Sequence, residues 1–329
     1  MAYRGEGTLR DLMRTQSGSL WISNAVLAAV LGVDLVLAAV VSVRHLDRTS
    51  VDAGPVGTVA QVATSAPSGS VSPTPSAAPV PMSVLLTTTS GVAALRVTTP
   101  TRCSTAARSA VEVSADRGRS WTVVDSPAPV IVRVAMTSAT AGWMIGSDST
   151  CRTYRYYATA NGGRTWQPRS DTSGYWYALA GRTDAIRAPR GPRALPCPAG
   201  TEAVTLTPES VPVAQAACFG PASSRLLRTV DGGGSWTTEP QPPVRGTAVA
   251  WATPTAGFVA AAPDDRCSGV PVWSTTDGAR WSRVGCGPVV GAATLSFSDV
   301  RNGLMVVRTQ AGLATLVTDD GGSTWAPAA

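Results

Sequence analysis

Apolar, β-branched stretches alternate with short polar turns through most of this chain, and the turns repeat. Residues 111–113, 270–273 and 313–317 read as strands because β-branched and aromatic residues suit a pleated, half-buried surface. Turns of one form recur: Ser114-Ala-Asp116-Arg-Gly118-Arg-Ser-Trp121, Thr159-Ala-Asn161-Gly-Gly163-Arg-Thr-Trp166, Thr229-Val-Asp231-Gly-Gly233-Gly-Ser-Trp236, Thr275-Thr-Asp277-Gly-Ala-Arg-Trp281 and Thr318-Asp-Asp320-Gly-Gly322-Ser-Thr-Trp325. Their tryptophans stand 45, 70, 45 and 44 residues apart, and a period in the forties marks a repeat of one supersecondary unit. A fainter repeat precedes it: Gly142 and Gly257 each lie 24 residues before a turn tryptophan, and Gly303 lies 22 before. The unit is therefore strand, Gly turn, strand, loop, strand, Asp-Gly hairpin, strand.

The hairpin chemistry is local. An Asp or Asn carboxamide or carboxylate bonds backbone N–H groups just ahead of it. The following Gly takes a positive φ at little cost. The Ser or Thr two positions earlier adds a second local hydrogen bond. The Trp leaves on the next strand and is expected to bury its ring against its own unit.

These residues resemble the Asp-box, or BNR, repeat of sialidase-like β-propellers, of the sortilin ectodomain and of photosystem II assembly-factor-like proteins, over residues 83–329. The resemblance implies an all-β propeller of four-stranded antiparallel blades, five by the box count. The family uses the box as a fold element. Two copies depart from the pattern: Asn161 replaces the Asp, and the box at Asp277 is one residue short. The gap before Trp236 holds about 25 residues beyond one period, so a degenerate sixth blade is the alternative.

Residues 21–43 form a 23-residue apolar run, long enough to cross a ~30 Å hydrocarbon core as a helix. It has no convincing Ala-x-Ala-like cleavage site, which favours an uncleaved anchor. Residues 1–20 become a cytoplasmic tail, and residues 44–82, rich in Pro, Ser and Thr, a disordered linker. Asp34 lies inside the anchor, where an ionisable residue costs about 2.5–3.5 kcal/mol. Either the span tolerates it protonated, or it pairs with a second helix beside the small Ala28 and Gly32. The expected location is the cell membrane, single-pass, with the propeller outside.

All six cysteines follow the linker, which fits disulfides in an oxidising compartment. In the blade scheme Cys103, Cys151, Cys218 and Cys267 fall in loops joining second and third strands. Cys197 and Cys286 fall in loops entering the next blade, on the same side of the ring. The expected pairs are Cys197–Cys218, Cys267–Cys286 and Cys103–Cys151, the last between neighbouring blades.

Composition narrows the chemistry. The 27 basic residues are all arginine, and the net charge of +6 falls on the propeller, because residues 1–82 hold five arginines and five acids. Such an excess outside a membrane points to an acidic envelope protein or anionic polymer on a propeller face, and it is too diffuse for a nucleic-acid stripe. The single histidine, His45, precedes the propeller, so His-based catalysis and metal sites are absent there. Neither metal nor cofactor is expected. Five of six tyrosines lie within residues 154–177. Tyr175, Trp176 and Tyr177, followed by Arg182, Arg187, Arg190 and Arg193, form the candidate binding set, since Tyr, Trp and Arg dominate interface hot spots. The bland reading is that these aromatics fill blade cores. The function that fits best is a non-enzymatic protein-binding, assembly or sensor module. A glycan or envelope-polymer binding module is the alternative, and a sialidase-like glycoside hydrolase comes last, since the Arg-Ile-Pro signature of that family is missing.

Overall fold

The structure, a computed structural model, describes residues 80–89, 92–169, 172–221 and 224–328. The anchor at 21–43 with Asp34, the tail and nearly all of the linker lie outside the described residues. Among those described, every regular element is a strand, and no helix is long and apolar enough to cross a membrane.

Twenty-three strands form six antiparallel sheets, each from one contiguous stretch of chain. Blade one holds β1 (Met82–Thr88), β2 (Ala94–Pro100), β3 (Ala110–Ser114) and β4 (Thr122–Val124). Blade two holds β5 (Val130–Met136), β6 (Gly142–Ser147), β7 (Tyr154–Thr159) and β8 (Gln167–Arg169). Blade three has three strands only, β9 (Tyr177–Ala178), β10 (Ala185–Ala188) and β11 (Gly191–Ala194). Blade four is β12 (Ala203–Pro208), β13 (Ala214–Phe219), β14 (Ser224–Thr229) and β15 (Thr237–Thr238). Blade five is β16 (Gly246–Trp251), β17 (Gly257–Ala261), β18 (Val270–Thr275) and β19 (Ser282–Gly287). Blade six is β20 (Ala292–Phe297), β21 (Gly303–Thr309), β22 (Gly312–Thr318) and β23 (Ala326–Pro327). The first strand of each blade touches the first strand of the next, and β20 returns to β1. The propeller therefore has six blades, where the box count gave five. Blade three has no fourth strand, so it has no hairpin in which a box could sit.

The boxes explain the spacing of the blades. In four of them one hydroxyl is the pivot. Ser114, Thr159, Thr229 and Thr318 accept the N–H of Gly118, Gly163, Gly233 and Gly322 at 2.8–3.0 Å. The same hydroxyls donate to Asp116, Asn161, Asp231 and Asp320 at 2.7–2.9 Å. Those side chains then accept the N–H of Ser120, Thr165, Ser235 and Thr324. One residue after the Asp or Asn, a backbone N–H ties the box to the turn between the first two strands of its own blade: Arg117 to Val92 O, Gly162 to Thr140 O, Gly232 to Pro212 O and Gly321 to Arg301 O, at 2.7–2.9 Å. The shortened box differs as expected. Asp277 takes the N–H of Ala279 and Arg280 directly.

The glycines of the regular boxes lean on the blade before them. The Trp sits at the joint between blades, packing on its own unit as expected and on its neighbour too: Trp281 meets Trp251 of its own blade edge-on at 5.9 Å, and Trp325 meets Phe297 of its own blade at 6.0 Å. A Cβ on Gly163 would meet Val113 of blade one, and a Cβ on Gly322 would meet Val272 of blade five. Trp166 joins a cluster of Leu95, Val97 and Val111 of blade one with Ile131 and Met144 of blade two, Trp236 one of Trp176 and Ile186 of blade three with Ala214 and Leu227 of blade four, and Trp281 one of Phe219 and Leu226 of blade four with Val249 and Val259 of blade five. Trp325 packs with Val270 and Val272 of blade five, where Phe258 stacks on Phe297 at 3.6 Å.

The seam between blades six and one joins the ends of the described chain. Thr88 N donates to Ser296 Oγ at 3.1 Å, and Thr294 Oγ1 to Val84 O at 3.3 Å. Buried Arg96 forms a bidentate pair with Glu112 at 2.6 and 2.8 Å, reaches Thr315 of blade six at 3.2 Å and lies 4.3 Å over Trp121.

The three disulfides pair as expected, with Cα–Cα distances of 5.6–5.7 Å. Cys103–Cys151 links the outer loops of blades one and two. Cys218 and Cys286 stand near the ends of β13 and β19 rather than in loops, because those strands run further than the pattern implied. Closing loops of 48, 21 and 19 residues removes chain entropy equivalent to about 3–4 kcal/mol each.

Two outcomes follow from the boxes. Gly163→Val places a branched side chain at φ +85° with Val113 Cγ1 2.8 Å from its Cβ, and should lower stability by about 3 kcal/mol or more in urea unfolding. Hydrogen bonds from Ser120 hold Asp116 at about 2 against a usual 3.8, and those from Thr324 hold Asp320 there too. Carboxyls lowered in the folded state contribute stability that is complete above their unfolded pKa and lost as pH falls through the folded one. The unfolding midpoint should therefore drop between about pH 4 and pH 2, and Asp116→Asn with Asp320→Asn should flatten that drop.

Candidate functional site

The candidate set around residue 175 is divided by strand alternation. Trp176, Ile186 and Arg193 belong to the side of blade three that faces blade four, whereas Tyr175, Tyr177 and Arg187 belong to the side that faces blade two. Trp176 is 2% exposed, sits in the core with Ala214 and Leu227, and meets Trp236 edge-on at 6.3 Å. Its indole N–H donates to Ser210 O at 3.0 Å. Arg193 lies against Gly233 of the third box. Arg182 is exposed and paired with Asp184 at 2.8 Å, Arg190 is exposed at the β10–β11 turn, and Arg187 is half-buried on β10.

The tyrosines do the work of the missing box. Blade three has no box Trp to cover blade two, and Tyr175 and Tyr177 take that place. Tyr175 stacks on Tyr156 at 4.7 Å and tilts against Trp143 at 5.2 Å, while Tyr177, 3% exposed, meets Tyr154 at 5.1 Å. Arg133 of β5 lies 4.7 Å over the Trp143 ring and donates to Trp176 O. Burial lowers Arg133 to about 10, which leaves it charged at neutral pH, and burial with the Tyr175 contact pushes Tyr156 up to about 12. The arrangement is a packed aromatic layer with one guanidinium, and no carboxylate joins it in an ion pair among the described residues.

A second place was not visible in the sequence. A cavity of about 190 Å³ opens at the box end of the seam between blades six and one. Thr88, Thr89, Arg117 and Arg119 line it from blade one; Asn302, Leu304, Val317, Asp319 and Thr324 line it from blade six. Its donors are unevenly available. Thr88 and Thr89 hydroxyls donate to backbone carbonyls, Thr324 donates to Asp320, and the Asn302 amide donates to Asp299. Arg117 and Arg119 are exposed and form no ion pair among the described residues. Arg117 also carries a backbone φ of 61°, where the equivalent box positions are Gly162, Gly232, Gly278 and Gly321 at 70–77°. A non-glycine residue there costs about 1–2 kcal/mol, and such outliers point towards function. The only sequence signal was an arginine in a position the other repeats give to glycine.

Several other carboxylates are held by the fold. Glu112 pairs with Arg96, Glu209 with Arg228, and Asp264 with Arg283. Asp148 is held at about 2 by Thr150 and neighbouring bonds of its own turn.

No family model and no curated protein matches the chain. Solved structures similar to it include a GH74 xyloglucanase from Xanthomonas campestris, 19% identical with a TM-score of 0.30 over 74% of this chain and 37% of that one. A Hadza microbial sialidase is 17% identical, with a TM-score of 0.32 over 73% and 56%. YCF48 bound to D1 peptide is 13% identical, with a TM-score of 0.26 over 75% and 84%. The chain spans just over a third of the length of the first two structures it matches, both GH74 enzymes.

If the tyrosines replace a box, Tyr175→Ala should lower stability by about 2 kcal/mol or more. Arg190→Ala, at an exposed turn, should stay within about 0.5 kcal/mol of wild type. Urea unfolding followed by tryptophan fluorescence reads both.

Proposed function

We propose that the chain is a membrane-anchored propeller that binds an acidic envelope protein or anionic polymer and performs no chemistry on it. The observation that carries this reading is the unequal fate of the charges. The acids named above are taken up by boxes, turns and ion pairs, while ion pairs among the described residues engage five of the propeller's 22 arginines. Arg133, Arg187 and Arg193 are wholly or partly buried, and the other unpaired arginines face solvent, where a cationic surface attracts and steers an anionic partner. A glycosidase needs two carboxyl groups flanking a bond, one of them raised in pKa. The carboxyls whose pKa is shifted here are lowered, by hydrogen bonds within their own turns. The 23-residue apolar run supplies the anchor in this proposal, the Pro/Ser/Thr-rich linker the tether, and the paired cysteines fit an oxidising exterior.

The test is capture from native membranes with full-length protein. The chain should remain with membranes through an alkaline wash and be released when residues 1–43 are removed. It should retain an acidic protein or polymer that 0.5 M salt elutes, as expected of contacts screened within a few ångströms. Asp34→Leu should leave insertion intact, and loss of a membrane complex in that variant would assign Asp34 to helix pairing. Hydrolysis of a fluorogenic glycoside by the pure protein would overturn the non-enzymatic reading.

A further inference from the structure

We infer that the seam cavity between blades six and one is a binding site for a monoanionic organic carboxylate, and that its ligand clasps the ring shut. The proposal rests on the binding reading above and names its site. Three observations support it. The cavity is bordered by both ends of the propeller, Arg117 and Arg119 on one side and Asn302, Leu304 and Asp319 on the other, so a ligand there touches the first and last blades together. The hydroxyl and amide donors around it are engaged within the protein, which leaves two guanidinium groups as the donors facing the space. Arginine presents parallel N–H groups that match a carboxylate.

The repeats act as an internal control. The N–H of Arg117 makes the same bond to the neighbouring turn as the N–H groups of Gly162, Gly232 and Gly321, so these positions are equivalent. Glycine meets the backbone requirement without strain at the other three, and at the seam an arginine occupies it at φ 61°. The position two residues further on is Arg119 at the seam, Arg164 and Arg280 in two other boxes, and Gly234 and Ser323 in the remaining two. The seam is the box that carries both arginines. The acceptor chemistry is narrowed by the remaining lining. Leu304, Val317 and Ala326 give an apolar wall for a short stem, and Asp319 opposes a second negative charge. A dianionic phosphate is disfavoured for that reason.

Thermal unfolding of the full-length chain in detergent, followed by tryptophan fluorescence, tests this with N-acetylvaline as the probe. At about ten times its Kd, N-acetylvaline should raise Tm by about 3–6 °C, because a ligand that binds only the closed ring stabilises it by mass action. N-acetylvalinamide, the neutral isostere, should give no shift. Arg117→Gly restores the residue found in the other boxes and relieves the strained φ, so it should fold with a Tm at or a few degrees above wild type and lose the response. Tighter binding of N-acetyl-Gly-Gly-Val than of butyrate would identify a peptide terminus as the source of the carboxylate, and the reverse a free short-chain acid; both support the site. An equal shift with the amide, a larger shift with inorganic phosphate, or a full response in Arg117→Gly/Arg119→Ser would overturn it. If membrane capture of an acidic partner survives in that double variant while the N-acetylvaline response is lost, the seam site stands apart from the partner surface. If capture fails for every variant, the binding reading falls and the thermal response still decides the cavity.

Discussion

A single hydroxyl in four of the five boxes organises this molecule. By accepting a glycine N–H and donating to an acid or amide two residues on, it holds the turn so that the following Trp packs between its own blade and the preceding one. Each neutral hydrogen bond of this kind contributes about 1 kcal/mol, and the larger gain comes from what the geometry permits. Truncating an indole buried in such a face costs about 3–5 kcal/mol. The box is therefore a positioning device for hydrophobic area, and its charge is a local matter confined to the turn.

Where that device is missing or altered, other side chains take over. Between blades two and three, where no box exists, Tyr175 and Tyr177 cover Trp143, Tyr154 and Tyr156. Between blades six and one, the box Trp121 lies beneath a guanidinium instead of among aliphatic side chains. Arg96 is bound there to Glu112 and Thr315. A buried pair offers little net stability but is costly to leave half-made, so it favours one registration of the last blade on the first.

Much of this was legible in the strand and turn pattern, because the determinants are local. The boxes, their shortened fourth member and the three disulfide pairs depend on residues close in sequence or in equivalent places of the repeat. The third blade was legible only as surplus length, which made a degenerate sixth blade the alternative, since its strands are short, Gly191 and Pro192 interrupt the pattern, and no box marks it. The tyrosine-rich stretch drew notice as a contact surface, yet Trp176 and Tyr177 are core residues; composition shows that aromatics are concentrated and not which side of a sheet they take. The seam cavity could not be read at all as a place, because Thr88 and Thr318 meet only when the ring closes. What was readable was Arg117 in a glycine position, a local anomaly without a location.

The contiguity of each sheet shapes how the ring can form. Among the described residues, no strand from one end of the chain completes a sheet built from the other. Contacts within a blade and between successive blades span short stretches of sequence, whereas the hydrogen bonds across the seam join residues 208–219 positions apart. Pairings distant in sequence are the slow ones, since chain entropy is lost before they repay it. The blades can thus assemble in order as the chain emerges, with the meeting of the first and the sixth as the final event, and an unfinished propeller exposes the sides of those two blades until it occurs.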